Sequence, residues 1–304
     1  MKLGLVSAIL PELALEQVLA FARDEGFAQV EIMCWPTGKA ERRFAGVTHL
    51  DVTGFTPAQA DEVKWLCGRY GVGLSGLGYY PNPLDPDPEV SGKAIGHLRE
   101  VILAAAKLGL KTVNTFVGRD WTKTVDQNWP RFLGVWKPLI GFAEEHGIRI
   151  GIENCPMLFT ADEWPGGKNL ATSPVIWRRM FSDITSASFG LNYDPSHLVL
   201  QRMDPIGPLR EFKEKLFHVH AKDMTVDAAR LNETGVFAFP KEWHTPRIPG
   251  LGEIDWSRFL GTLYEIGYGG AVCVEVEDDT FGKTLEGRKL ALRVAGNVLR
   301  PYFG

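Results

Sequence analysis

FGLNYDPSHLVLQRMDPIGPLREFKEKLFHVHAKD, residues 189–223, decides the fold. It opens on a nearly all-apolar run, Phe189–Asp194, passes through a helix-like segment, Pro205–Lys215, and enters a second run, Leu216–Asp223. Short apolar runs without polar alternation belong to strands covered on both faces, the condition of a parallel sheet flanked by helices. Working outward, the same unit recurs. Further strands are expected at Lys2–Ala8, Gln29–Trp35, Gly73–Tyr80, Thr112–Gly118, Arg149–Asn154 and Ala271–Asp278. Amphipathic segments lie between them at Glu12–Glu25, Pro57–Tyr70, Glu89–Leu108, Asp126–His146, Ser173–Ser186, Asp255–Ile266 and Gly282–Leu299. Several end on glycine (Gly26, Gly147, Gly267), which takes the left-handed conformation that stops a helix. Eight strand–helix units in 304 residues predict an α/β fold, a (β/α)8 TIM barrel, as a single domain over 1–304. An open doubly wound sheet is the alternative, but no GxGxxG follows the first strand and no P-loop motif occurs. The Pro-rich stretch Pro81–Pro88 reads as a rim loop rather than a tether.

Composition narrows the partners. Lys and Arg number 33 against 37 Asp and Glu, a net charge of −4, so the basic field that nucleic acid or an anionic membrane requires is missing. Four cysteines without CxxC pairing, three of them in apolar runs, read as buried free thiols. The first ten residues lack a signal-type apolar region and no later run approaches 18 apolar residues, so a cytoplasmic protein is expected.

Barrel enzymes place their chemistry at the C-terminal ends of the strands. Four successive strands carry polar residues there: Glu153, Asp194, His220 and Glu275. Neighbouring strands lie about 5 Å apart, so these side chains can converge on one ion. Three carboxylates held together without a cation would repel one another, and three carboxylates with one imidazole suit Mn2+ or Mg2+ first, with Co2+ or Zn2+ as alternatives. His218, His220 and Lys222 alternate along one strand and face one side. His220 is assigned to the metal, and His218 to its support or to the pocket wall. His197, just past Asp194, is a candidate for substrate hydroxyls, Asp223 is read as a loop or capping residue, and Trp35, Tyr79, Tyr80 and Phe116 offer flat rings to a sugar face.

IGIEN, NYDPSH, HVHAKD and CVEVE, with PGLGEIDW (Pro249–Trp256) between the last two, resemble the xylose-isomerase-like sugar-phosphate isomerase/epimerase superfamily. The resemblance implies one divalent metal on Glu153, Asp194, His220 and Glu275, with Glu153 and Glu275 as the acid/base pair and His197 on substrate hydroxyls. It implies an isomerase or epimerase acting on a keto-sugar or polyol through a metal-stabilised enediolate. The runner-up is a lyase of the same superfamily, an inosose-type dehydratase or a β-eliminating deglycosidase on 3-keto-glycosides. Where the ketose 3-epimerases carry a further Glu, six residues after the first ligand, Phe159 stands here. The insertion 225–247 is expected over the active site, with His244 and Arg247 as candidate substrate contacts, and a homodimer or tetramer is implied. An apurinic-site endonuclease fits less well, given only seven histidines and negative charge. A non-catalytic sugar- or metal-binding module is the remaining class.

Overall fold

The computed structural model describes residues 1–38, 46–158 and 167–304; Phe159 lies outside them. Eight parallel strands close into a barrel: β1 (Lys2–Val6), β2 (Gln29–Met33), β3 (Gly73–Gly78), β4 (Thr112–Thr115), β5 (Arg149–Glu153), β6 (Phe189–Tyr193), β7 (Leu216–Ala221) and β10 (Ala271–Val274). The ring runs in chain order and is sealed by β1 against β10, with Leu3 opposite Val272 and Leu5 opposite Val274. The predicted strands each lose their last residues, because the chain leaves the ladder where the polar rim begins.

Local signals set the helices. In α2 (Pro57–Tyr70) the Thr56 hydroxyl caps Gln59 N–H while the Gln59 side chain returns to Thr56 N–H, and Gly71 closes the helix at φ 66°. In α3 (Pro88–Leu108) Asp87 caps and Pro88 opens, with Gly109 at φ 74°. The remaining long helices are α1 (Leu15–Asp24), α4 (Val125–Glu145), α5 (Pro174–Asp183), α9 (Trp256–Glu265) and α10 (Leu285–Leu299). Their apolar faces pack on the strands in one large core, and a smaller apolar cluster that includes Val6, Met33, Tyr80, Phe116 and Cys273 stands apart from it. None of the described helices is long and apolar enough to cross a membrane.

Three features depart from the sequence expectation. The segment Pro205–Lys215 is helical only over α7 (Gly207–Glu211) and then tightens into a 3-10 turn, and the loop after β6 forms a short helix of its own, α6 (Ser196–Leu200). The insertion after β7 is a built arm. In it β8 (Asp223–Val226) pairs antiparallel with β9 (His244–Arg247) around α8 (Ala228–Thr234). Of the four cysteines, which are all free, Cys34 and Cys273 are buried, whereas Cys155 and Cys67 are half-buried.

Asp223, read above as a loop or capping residue, is the anchor of the arm. Its buried carboxylate accepts from the backbone N–H groups of Met224, Gly250 and Ile254 and from Trp256 Nε1 (2.8 Å). A β-carbon at Gly252 would stand 2.1 Å from Asp223 Oδ1, so the loop passes this carboxylate only with glycine there.

Candidate metal centre at the barrel mouth

The strand order β5–β6–β7–β10 sets four side chains in a row along the C-terminal rim. Glu153 ends β5, Asp194 follows β6, His220 lies in β7 and Glu275 follows β10. One ligand atom from each lies within 4.8 Å of the others. His220 Nδ1 stands 3.6 Å from a Glu153 oxygen and 3.6 Å from a Glu275 oxygen. Asp194 is held by a reciprocal pair of bonds: Asn154 Nδ2 donates to Asp194 O and Asp194 N–H donates to Asn154 Oδ1, both at 2.8 Å.

The chemistry of these donors fits a divalent cation. His220 Nδ1 is buried and has no hydrogen-bond partner among the described residues, and Asp194 Oδ2, also buried, meets only the Lys222 ammonium and His197. Buried polar atoms are rarely left so, because the lost solvation costs about 1–3 kcal/mol each. His220 Nδ1 belongs to the converging set, as expected of an atom that an ion would satisfy. His197, also buried, sits beside them, with Nε2 3.3 Å from Asp194 Oδ2 and 3.4 Å from Glu153 Oε1.

A second cation is built into the ring. Lys222 is 1% exposed, and its ammonium lies 2.7 Å from Glu275, 3.0 Å from Glu277 and 3.1 Å from Asp194. The electrostatics are uneven. Burial raises the Glu153 carboxyl, but the neighbouring imidazoles of His197 and His220 and the Lys222 ammonium outweigh it and hold it well below the usual range. Burial pushes Glu275 up to about 7, aided by Glu153 and Glu277 and opposed by Lys222 and His220. The two glutamates thus differ, one a settled anion and the other able to hold a proton near neutrality.

The other candidates divide by position. His218 lies beneath the ring with both ring nitrogens occupied: Nδ1 stands 3.0 Å from Asn192 Oδ1 and Nε2 3.0 Å from Ser75 Oγ. Burial lowers it to about 4, so it is the neutral imidazole that one donor and one acceptor require. Its place is in the support of the ring. Phe116 is buried and meets Tyr80 edge to face at 5.1 Å, while Trp35 is half-buried against Tyr79 at 5.0 Å. In the arm, His244 Nδ1 bonds the Pro240 carbonyl, and Arg247 Nη1 reaches Asp278 at 3.5 Å and Thr280 at 3.2 Å, which ties β9 to the loop beyond Glu275. A cavity of about 380 Å³ opens at this end of the barrel between the loop after β5 (Pro156, Leu158), α6 (Leu200, Gln201) and the arm (Phe237, Trp243).

Two residues of the site escaped the sequence reading. Glu31 in β2 is wholly buried under His220. Its signal was a single carboxylate inside the run QVEIM. Lys222 was seen to share a face with the histidines, but nothing in its spacing showed an ammonium turned onto three carboxylates.

Residues 19–300 match the family described as xylose isomerase-like TIM barrel, and the chain belongs to that family. Among curated relatives, inosose dehydratase of Clostridium tetani is 34% identical over 91 residues, 29% of this chain and 30% of that protein. Among solved structures, D-psicose 3-epimerase of Clostridium cellulolyticum H10 with D-tagatose superposes with a TM-score of 0.70 at 18% identity, covering 99% of each chain. The IOLI protein with a bound zinc atom superposes with a TM-score of 0.71 at 19% identity over 100% of both chains. At these identities the two structures speak for the fold.

Proposed function

We propose that the chain is a divalent-metal-dependent isomerase or epimerase acting on a keto-sugar or polyol, with Glu153, Asp194, His220 and Glu275 as the metal ligands. The carrying observation is the convergence of these four residues within 4.8 Å, with His220 Nδ1 left without a hydrogen-bond partner among the described residues. The donor set suits Mn2+ or Mg2+, and the zinc in the IOLI protein keeps Zn2+ in the comparison. Bound there, the metal supplies Lewis-acid stabilisation of the negative charge that develops on substrate oxygens when a neighbouring carbon loses its proton.

The chain's own residues supply the rest. Glu153, ionised, takes the proton from carbon, and Glu275 returns one. They stand at the two ends of the ligand row, β5 and β10, and so reach a substrate from opposite sides. Return to the same carbon from the other side inverts it; return to the adjacent carbon, with the hydroxyl proton passed to the former carbonyl oxygen, moves the carbonyl. His197 orients a substrate hydroxyl at the edge of the row, and Phe116 and Trp35 offer ring faces to the sugar.

A second reading, dehydration of a keto-polyol, is favoured by the 34% identity over 91 residues to an inosose dehydratase. Incubation in D2O with Mn2+ and a panel of ketohexoses and inososes tests both. Uptake of one deuterium with a new diastereomer or isomer supports the first reading, and appearance of an enone supports the second. Absence of exchange and of enone across the panel, in protein shown to hold one metal ion, defeats the proposal.

A further inference from the structure

Beneath the metal ligands lies a polar layer that none of the proposed steps uses. Glu31 is wholly buried at the barrel axis, and one of its oxygens, Oε2, lies 2.7 Å from His220 Nε2. Its other oxygen accepts from the Tyr80 hydroxyl. Asn192 Nδ2 donates to Tyr80 Oη at 3.1 Å, and Asn192 Oδ1 faces His218 Nδ1 at 3.0 Å. Residues of β2, β6 and β7, and Tyr80 just past β3, are thereby joined in one hydrogen-bonded network around this carboxylate.

These contacts fix where the proton of His220 sits. Asn192 Nδ2 also lies 3.0 Å from His220 Nε2, so two assignments compete. If Nε2 were bare it could accept from Asn192, but its lone pair would then face the Glu31 carboxylate at 2.7 Å. If Nε2 carries the hydrogen, it makes a charge-assisted bond to Glu31, about twice as strong as a neutral one, and Asn192 still spends its hydrogen on Tyr80. The second arrangement wins, and it leaves Nδ1 bare toward Glu153 and Glu275, where no described residue satisfies it.

We infer that Glu31 is a positioning residue for the metal centre: by accepting from His220 Nε2 it holds the imidazole in the tautomer and ring orientation that present Nδ1 to the ion. The inference rests on the metal site proposed above and not on the reaction. The competing reading is that Glu31, His218 and His220, whose atoms also lie within 4.8 Å of one another, hold a second ion. The occupied nitrogens of His218 argue against it.

Co2+ binding to metal-stripped full-length protein tests the inference, by chelator competition and by the visible spectrum. Wild type should bind one ion per chain. Glu31→Gln, which keeps the shape, and Glu31→Ala should both weaken Co2+ by about 10–100-fold, the usual effect of losing an outer carboxylate on a ligating histidine. Tyr80→Phe, which leaves Glu31 charged, should weaken it less. Wild-type affinity in both Glu31 variants overturns the inference, and so does a second ion in wild type that disappears with Glu31. Should the variants not fold, 15N-histidine spectra of Zn2+-loaded wild type decide. A proton on His220 Nε2 with metal on Nδ1 is expected, and the reverse arrangement overturns it. Failure of solvent-hydrogen exchange with these metal data intact would count against the proposed reaction alone.

Discussion

Replacing Lys222 with methionine tests how the carboxylate ring is held before an ion arrives. The ammonium is 2.7 Å from Glu275 and 3.1 Å from Asp194, contacts worth about 5–6 kcal/mol each in gross Coulomb energy at an effective dielectric near 20. Glu277 adds less, since its side chain is 40% exposed. Desolvation of the ammonium offsets most of this sum, and removing one partner of a buried pair costs about 3–5 kcal/mol net. For 304 residues that lowers the melting temperature in EDTA by roughly 5–8 °C. A dication entering the ring supplies the missing positive charge, so the metal-bound variant loses less than the metal-free one. If even about 1.4 kcal/mol of the cost is recovered on binding, Mn2+ affinity rises tenfold. Lys222→Met should therefore be less stable without metal, bind Mn2+ at least about tenfold more tightly, and show a larger thermal shift on Mn2+ addition. Calorimetric titration and melting curves with and without metal read both quantities. Unchanged or weaker Mn2+ binding, with an unchanged melting temperature in EDTA, would refute the reasoning.

Three further outcomes are expected. Glu153→Gln and Glu275→Gln should each reduce hydrogen exchange between a turned-over substrate and solvent by about 10²–10⁴-fold, measured with ion content held equal to wild type; exchange within a factor of two would remove that glutamate from proton transfer. Because Glu275 carries its proton up to about pH 7 and must shed it to bind an ion, Mn2+ affinity should rise with pH from 6 to 8 and binding should release protons in proportion to buffer ionisation enthalpy; affinity that falls over this range contradicts the assignment. Asp223→Ala strands three backbone N–H groups and the Trp256 indole N–H, a loss of at least about 3 kcal/mol, and amide exchange should quicken in β8 and β9 before it does in the barrel strands.

The barrel was legible because its strands are buried on both faces and so lack polar interruption until their ends, and the same contrast exposed Glu153, Asp194, His220 and Glu275. Glu31 was not legible for the converse reason: in QVEIM one carboxylate looks like an ordinary alternation, and only barrel closure turns it toward His220. The insertion 225–247 was legible, but its two strands were not, because DMTV and HTPR are short and pair with each other rather than with the barrel. In PIGPLREFKEK the Gly207-Pro208 pair sets the late start of the helix, whereas nothing in the local pattern marks its early end in a 3-10 segment.

His220, Lys222 and Asp223 are almost consecutive: an ion donor, a fixed positive charge and the peg of an overhanging flap, all on four residues of backbone. The flap leaves and rejoins the scaffold at one clasped point, Asp223 against Arg247 in register. Met224, Val226 and Trp243 root it in the core, so the largely exposed stretch 227–237 between its strands is the part whose sequence is free to vary without disturbing the frame.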